Sequence, residues 1–486
     1  MSEDSGADGT PMAWRPKQLY HTDSNLSAKS ISVVGTHPFG TLHVHQPTDS
    51  PMTEGPPPLE DDEDSAAEAL LHHEGGGDVV LVLDLPEVFT TGYDSVSFTA
   101  KHFGGVRDVP PGPHLFWFAH PSGGSARCGF WLFSSGRDQV HVMQWDKFNE
   151  VLGEAPRSEA HIQTENLSSF HSKLISYRDP TARSNAPGDL DSSRATANLK
   201  IWEQLTGSIT REALVRISGQ NTDGYFVHTG DRVNGAILMA AELELERRIS
   251  NPLLQSRELK FCFDQHGKTY SMTQIGSART LEATDSTTHI LSLIDNPSNN
   301  LTEDDIVGEL QFCYITGVHL GNDSCIQQWW YMILKLILKA HTLPATRPDL
   351  ASALIRTITA QLIYGSEHLE TSVLDQADSK SRELRLSLII YKRRLEETLA
   401  SLGKSATPEQ ITVGNVFSRL ESTLTDLGWD ITADYLRKGK VMMEDGEEVE
   451  VEVSDLQAED ERGEWAPEIV ELDEHGRQKD LVSWAD

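Results

Sequence analysis

The sequence predicts an α+β protein, with an N-terminal antiparallel β-rich domain followed by an α-helical domain and disordered acidic tails. Three observations carry the prediction. Short apolar runs parted by Pro- and Gly-rich turns fill residues 78–155; apolar positions recur at helical spacing from Thr302 onward; and both ends of the chain are rich in acidic and small polar residues.

The 486 residues exceed what one hydrophobic core organises, so about two or three domains are expected. An apolar fraction of 38% leaves a sizeable share of the chain outside any core. The first 77 residues supply part of it: they carry the acidic run Glu60 to Asp64 and the glycines Gly75 to Gly77, and read as a disordered extension (residues 1–77). A stray strand at Ile31 to Val34 is the one exception considered there.

From Asp78 the pattern changes. Val79 to Leu83 is a short apolar run closed by Pro86, as a buried strand requires. Leu115 to Ala119, Gly129 to Phe133 and Gln139 to Trp145 follow as strands, separated by Pro110-Pro111-Gly112-Pro113, Pro121-Ser122-Gly123-Gly124 and Ser134-Ser135-Gly136. Such spacing favours an antiparallel sandwich or barrel over residues 78–155.

Residues 156–300 read as a helical linker, with helices over Ser158 to Ile175 and Ser192 to Leu205. A short hairpin interrupts it, because Leu259, Phe261 and Phe263 alternate with polar or small residues before the turn Gln265-His266-Gly267. Residues 301–440 read as the α-helical domain, a bundle or solenoid. Thr302 and Asp305 form a variant capping box, and Ile306, Leu310, Cys313 and Leu320 share one stripe. Phe312 and Ile315 lie off that stripe, so this helix is expected at the centre of its domain, buried between neighbours.

Ile326, Trp330, Ile333 and Ile337 continue at helical spacing until Pro344 and Pro348, and Leu350, Leu354, Ile358 and Leu362 resume it. Two more helices are expected over Ser381 to Leu402 and from Thr407-Pro408, a cap followed by a first-turn proline, to Leu427. Residues 441–486 form an acidic tail in which Trp465, Pro467, Ile469, Val470 and Leu472 make an aromatic and β-branched island. Lacking a core of its own, that island is expected to pair with a partner's sheet edge.

The formal charge of −33 disfavours direct nucleic-acid binding, which needs clustered Lys and Arg, and favours a basic protein surface. The longest apolar candidate for a membrane span, Trp329 to Ala340, is broken by Lys335 and Lys339, so no membrane association is expected. Met1 to Thr10 lacks the basic-then-apolar order of a secretory signal, which gives an intracellular expectation. Within it, Asn166-Leu167-Ser168 and Asn300-Leu301-Thr302 carry no weight as glycosylation sites, and Cys128, Cys262, Cys313 and Cys325 read as reduced thiols.

No catalytic motif is complete. Gly403-Lys404-Ser405 resembles the end of a phosphate loop, but Thr398 stands where the first glycine belongs, so a helix terminus is the better reading. His43, His45, His72 and His73 lie in the polar extension without further ligands. His114, His120 and His141 would make a metal-assisted enzyme only by converging on one barrel interior. Trp329 and Trp330 fit core packing better than an aromatic interaction face. No enzyme and no cofactor are expected.

Several blocks, in order, resemble the A1-cistron splicing factor family. Gly308-Glu309-Leu310-Gln311-Phe312, Leu320-Gly321-Asn322 and Gln328-Trp329 resemble its central helical signature, and Trp202, Leu205, Thr206 and Ile209 its W-x-x-L-T-x-x-I segment. Gly92-x-Asp94, Phe103, Gly105-Val106 and Pro110-Pro111-Gly112-x-His114 resemble its N-terminal block. The resemblance implies a β-rich domain joined to a helical domain similar to VHS folds. It implies a non-catalytic assembly chaperone of the U5 snRNP precursor, shared between cytoplasm and nucleus and supporting pre-mRNA splicing. The implied partner is the large U5 snRNP scaffold protein, bound at its RNase H-like and Jab/MPN-like domains so that the U4/U6-unwinding helicase is kept away. In the fungal member the tail adds a strand to that partner and phosphorylation promotes release; Trp465 to Leu472 is the matching segment here. The acidic extension before Asp78 departs from the family's compact start. Helical domains of this kind also serve as general adaptors that bind short peptides, which is the leading alternative.

Overall fold

In a computed structural model the described residues are 76–120, 126–177, 200–220, 224–236, 240–248, 256–264, 277–369, 372–374, 378–429, 431, 438–442 and 448–452. The expected extension up to residue 75 and the tail island Trp465 to Leu472 lie outside them.

Two five-stranded sheets face each other. One contains β1 (Asp78–Leu83), β4 (Gly105–Val109), β7 (Val140–Asp146), β8 (Val151–Glu154) and β9 (Ile175–Ser176), in the order β8-β7-β1-β4-β9. The other contains β2 (Val88–Tyr93), β3 (Val96–Lys101), β5 (Gly112–Ala119), β6 (Cys128–Ser134) and β10 (Gly224–His228), in the order β10-β6-β5-β2-β3. Pairing is antiparallel except where β1 runs parallel to β7 and β4 to β9. The side-chain period of two then sorts each strand. Phe116, Phe118, Phe130, Leu132 and Phe226 meet Val80, Val82, Val106, Met143 and Trp145 in the sandwich core. The alternate residues Leu115, Trp117, Trp131, Tyr225 and Val227 face the helices instead.

Helix α1 (Arg157–Glu165) and two single-turn 3-10 segments, Leu167–Ser169 and His171–Lys173, lie over the outer face of the first sheet, where Ala160, Leu167, Phe170 and Leu174 cover Val79, Leu81 and Val142. The helix expected to run unbroken to Ile175 therefore stops at Glu165, and the chain instead delivers β9 to the sheet edge. The expected end of the β domain at residue 155 also moves, because β10 completes the second sheet by pairing with β6. Leu259, expected in a hairpin, lies in β12 (Glu258–Leu259), which pairs parallel with β11 (Arg232–Val233); the expected turn at Gln265 to Gly267 and the chain after it lie outside the described residues.

Helix α2 (residues 200–206), α3 (Arg211–Ser218), α4 (Ala240–Arg248), α5 (Ser277–Thr284) and α6 (Thr287–Ile294) lead into the helical body. Its centre is α7 (Glu303–Leu320), opened by the Thr302/Asp305 capping box, closed by Gly321 in the left-handed region and buried from Asp305 to Leu320. Helix α8 (Asp323–Tyr331) continues through a π turn at Met332–Leu336 and a 3-10 turn at Ile337–Lys339, keeping Ile326, Trp330, Ile333 and Ile337 buried. Helix α9 (Leu343–Thr346) leads into α10 (Pro348–His368), which packs on α7; α11 (Asp378–Leu402) packs on the turns that end α8 and on α12 (Pro408–Asp426), which lies along α10 and has a second capping box at Thr407/Gln410. Beyond them β13 (Lys438–Met442) and β14 (Glu448–Glu452) pair antiparallel across residue 440, where the helical domain was expected to end and the acidic tail to begin. No helix among the described residues is long and apolar enough to cross a membrane.

Candidate functional site

The residues singled out by sequence converge on the seam between the second sheet and α7. Trp131 on β6 stacks on Phe312 and Trp202, at ring separations of 5.5 and 6.2 Å, and its Nε1–H donates to Thr316 Oγ1 at 3.0 Å. Trp202 in turn donates to Pro113 O at 2.9 Å, fixing α2 to the start of β5. Gly308 lets α7 approach the next turn of chain: a Cβ there would sit 2.4 Å from Ser208 O. Gln311 secures the same contact, accepting from Ser208 N at 2.9 Å and donating to Gln204 O at 3.3 Å.

At the C-terminal end of α7 the buried Arg127 donates to His319 O and lies over the Trp117 ring, 4.9 Å from its centroid. A cation is favoured there, because the last carbonyls of the helix carry its negative pole. Burial lowers the Arg127 pKa to about 10, still well above neutrality. Burial, then the Arg127 charge, depresses His319 to about 3, so its ring stays neutral and shares a 3.0 Å hydrogen bond between Nε2 and Tyr364 OH. Thr229 joins in by donating to Leu320 O at 2.6 Å.

The middle of α7 carries a buried charge. Glu309 is fully covered, accepts from the backbone N–H of Cys262 at 2.8 Å, and pairs with Arg216 on α3, which also reaches Asp305 at 3.1 Å. Burial pushes the Glu309 carboxyl up, and Arg216 and the Cys262 contacts restrain the rise. For Arg216 burial works the other way, but Glu309 leads the contributions that outweigh it and hold its pKa above the ordinary value.

Amides complete the joint. Asn322 caps α8 by accepting from Cys325 N at 2.8 Å and donates to both His228 O and Asp231 O at 2.9 Å. Gln328 donates to Phe263 O at 2.9 Å, and Trp329 donates to Gln361 Oε1 at 2.7 Å. Trp329 and Trp330 are both core residues.

In the sandwich, Asp94 Oδ1 accepts from Leu115 N at 2.9 Å, while Oδ2 meets His114 Nδ1 at 2.7 Å and takes the Tyr177 hydroxyl. His114 Nε2–H donates to Pro110 O at 2.9 Å. Gly92 leaves room for the Trp117 ring, whose nearest atom would be 2.1 Å from a Cβ. The three histidines weighed as metal ligands do not converge: His114 lies on the second sheet, His141 contacts Asp78 on the first at 3.4 Å, and His120 packs on Phe89. Among the described residues no three His, Cys, Asp or Glu side chains gather as a metal site requires. The four cysteines are free, and Gly403-Lys404-Ser405 is a 3-10 turn ending α11.

Trp465, Pro467, Ile469, Val470 and Leu472 lie outside the described residues. Sequence reading missed Arg127 and Arg216 altogether, although Glu309 inside an apolar helix was itself a signal that a cation must lie opposite it.

The helical blocks thus meet in one seam, while the N-terminal block holds the sandwich together. A family model for the AAR2 N-terminal domain matches residues 76–219, and one for the AAR2 C-terminal repeat region matches residues 261–432. Together they span both sides of the seam and well over half of the chain, which belongs to the AAR2, or A1-cistron splicing factor, family.

Proposed function

We propose that this chain is a non-catalytic assembly chaperone of the spliceosomal U5 particle. The family is a splicing and snRNP assembly factor family. On this reading the chain binds the large U5 scaffold protein at its RNase H-like and Jab/MPN-like domains, delays the U4/U6-unwinding helicase, and works on a cytoplasmic precursor before it functions in the nucleus. The observation that supports it most is the use to which the family blocks are put: Glu309, Gln311 and Asn322 bond to Arg216, Ser208 and His228, fastening the helical body to the chain that precedes it. A fixed two-domain body suits a factor that occupies a large partner surface, since preorganisation lowers the ordering cost of binding. The strand Trp465 to Leu472 extends that surface by pairing with a sheet edge of the scaffold, where Ile469 and Val470 would point to opposite faces.

Affinity purification tests both parts. The full chain is expected to recover the U5 scaffold protein, and a chain ending at Gly463 to recover much less. Undiminished recovery by the shortened chain would refute strand addition. Recovery of sorting or endosomal proteins without any U5 component would favour the adaptor reading instead.

A further inference from the structure

A surface groove of about 350 Å³ lies where α7, α10 and α12 meet the turn after α2. Its floor is apolar, made by Val307, Ala353, Ala360, Ile363 and Val416, of which all but Val307 are partly exposed. Arg356 on α10 and Arg419 on α12 stand at its sides, both exposed. Neither guanidinium has an ion-pair or hydrogen-bond partner among the described residues, and Glu203 at the rim pairs with neither. An apolar trough between two uncompensated cations selects an extended segment with carboxylates beside an aromatic or aliphatic side chain.

We infer that the occupant is the chain's own segment Glu459 to Leu472, in which Glu459, Asp460, Glu461 and Glu464 precede Trp465 and Ile469. Its composition complements the groove in both charge and apolarity. Its tether also suits it: the chain leaves α12, which lines the groove, at Asp426, and the residues on either side of the paired strands β13 and β14 add a reach on the order of 60 Å before Glu459. The attachment makes binding intramolecular, at effective concentrations of roughly millimolar order, so contacts too weak to hold a free peptide suffice. This reading rests on the proposed role of Trp465 to Leu472 in one respect: a tail held in the groove is withheld from a partner's sheet edge until that partner competes for it.

Hydrogen exchange on the full chain tests the docking without any partner. Peptides spanning residues 459–472 are expected to exchange about fivefold faster when Arg356→Glu and Arg419→Glu are combined, the scale of losing two exposed ion pairs. Adding Glu459→Lys, Asp460→Lys and Glu461→Lys to that variant is expected to restore slow exchange, a rescue that damage to the fold would not give. Both arginines are exposed, so an unchanged thermal melt accompanies the expected result. Equal exchange in the wild type and the double variant overturns the proposal. A change confined to residues 60–64 overturns it in favour of the acidic N-terminal run. Scaffold recovery by the chain ending at Gly463 reads the partner role separately, so either idea can fail alone.

Discussion

Two buried carboxylates, one in the sandwich and one in the seam, are stabilised in opposite ways. Asp78 at the start of β1 receives Ser134 Oγ and Ser135 N at 2.8 Å, Arg137 N at 2.9 Å and Gln139 N at 3.0 Å, all from the turn between β6 and β7. Burial would raise its pKa, but those donors, with His141, prevail and hold the carboxyl below the ordinary value. Glu309 has a full countercharge in Arg216 and still is pushed up by its burial. Local N–H groups are already in place once the turn forms, whereas Arg216 must be carried in from a helix 93 residues away. The sandwich charge therefore fixes a loop, and the seam charge fixes one part of the molecule against another.

The sharpest way to break this contrast is at Arg216. Its loss strands Glu309 in the core, and Arg216→Ala is expected to cost about 3–5 kcal/mol in denaturant unfolding. Combining Arg216→Met with Glu309→Leu should recover most of that, because no charge is then left buried. A double variant as unstable as Arg216→Ala would show that the pair does more than neutralise itself.

Asp78→Asn should cost less, about 2–3 kcal/mol at pH 7, since it weakens charge-assisted hydrogen bonds without orphaning a charge. Its pH dependence carries the test. The folded carboxyl titrates below its reference of 3.8, so the stability it supplies is present above that value and is lost as pH falls toward the folded pKa. The gap between wild type and Asp78→Asn in urea melts should thus be wide at neutral pH and narrow below about pH 4. A gap independent of pH would mean that geometry, not charge, is what Asp78 contributes.

How much of this was legible in the sequence depends on distance along the chain. The caps at Thr302 and Thr407 and the all-round apolarity of α7 are local signals, and each helix starts where they place it. Strand β10 was not legible, because Gly224–His228 is a short run among helical signals and joins the sheet only through β6. The parallel pairing of β1 with β7 likewise follows from topology that no local period reports. In the seam, Glu309, Gln311 and Asn322 were visible as members of blocks, but their partners Arg216, Ser208 and His228 were not, since each lies about ninety residues or more away. The arginines of the groove gave no signal at all, because a missing ion pair shows only once the fold has brought Arg356 and Arg419 together.

The two faces of the second sheet extend the comparison to apolar residues, where the effects are smallest. Trp131 faces the seam and has a polar task, donating to the buried Thr316 hydroxyl. Phe116, on the inner face, has only shape to contribute, stacking on Phe130 with ring centroids 5.2 Å apart. Trp131→Phe keeps an aromatic ring but removes the donor, leaving Thr316 to rely on its own helix; about 1–3 kcal/mol is expected. Phe116→Leu preserves much of the volume in a site with no directional demand and should cost less than about 1.5 kcal/mol. If the order reversed in unfolding measurements, hydrogen bonding could not be what aligns the seam, and stacking among Trp131, Phe312 and Trp202 would have to hold α7 in register by itself.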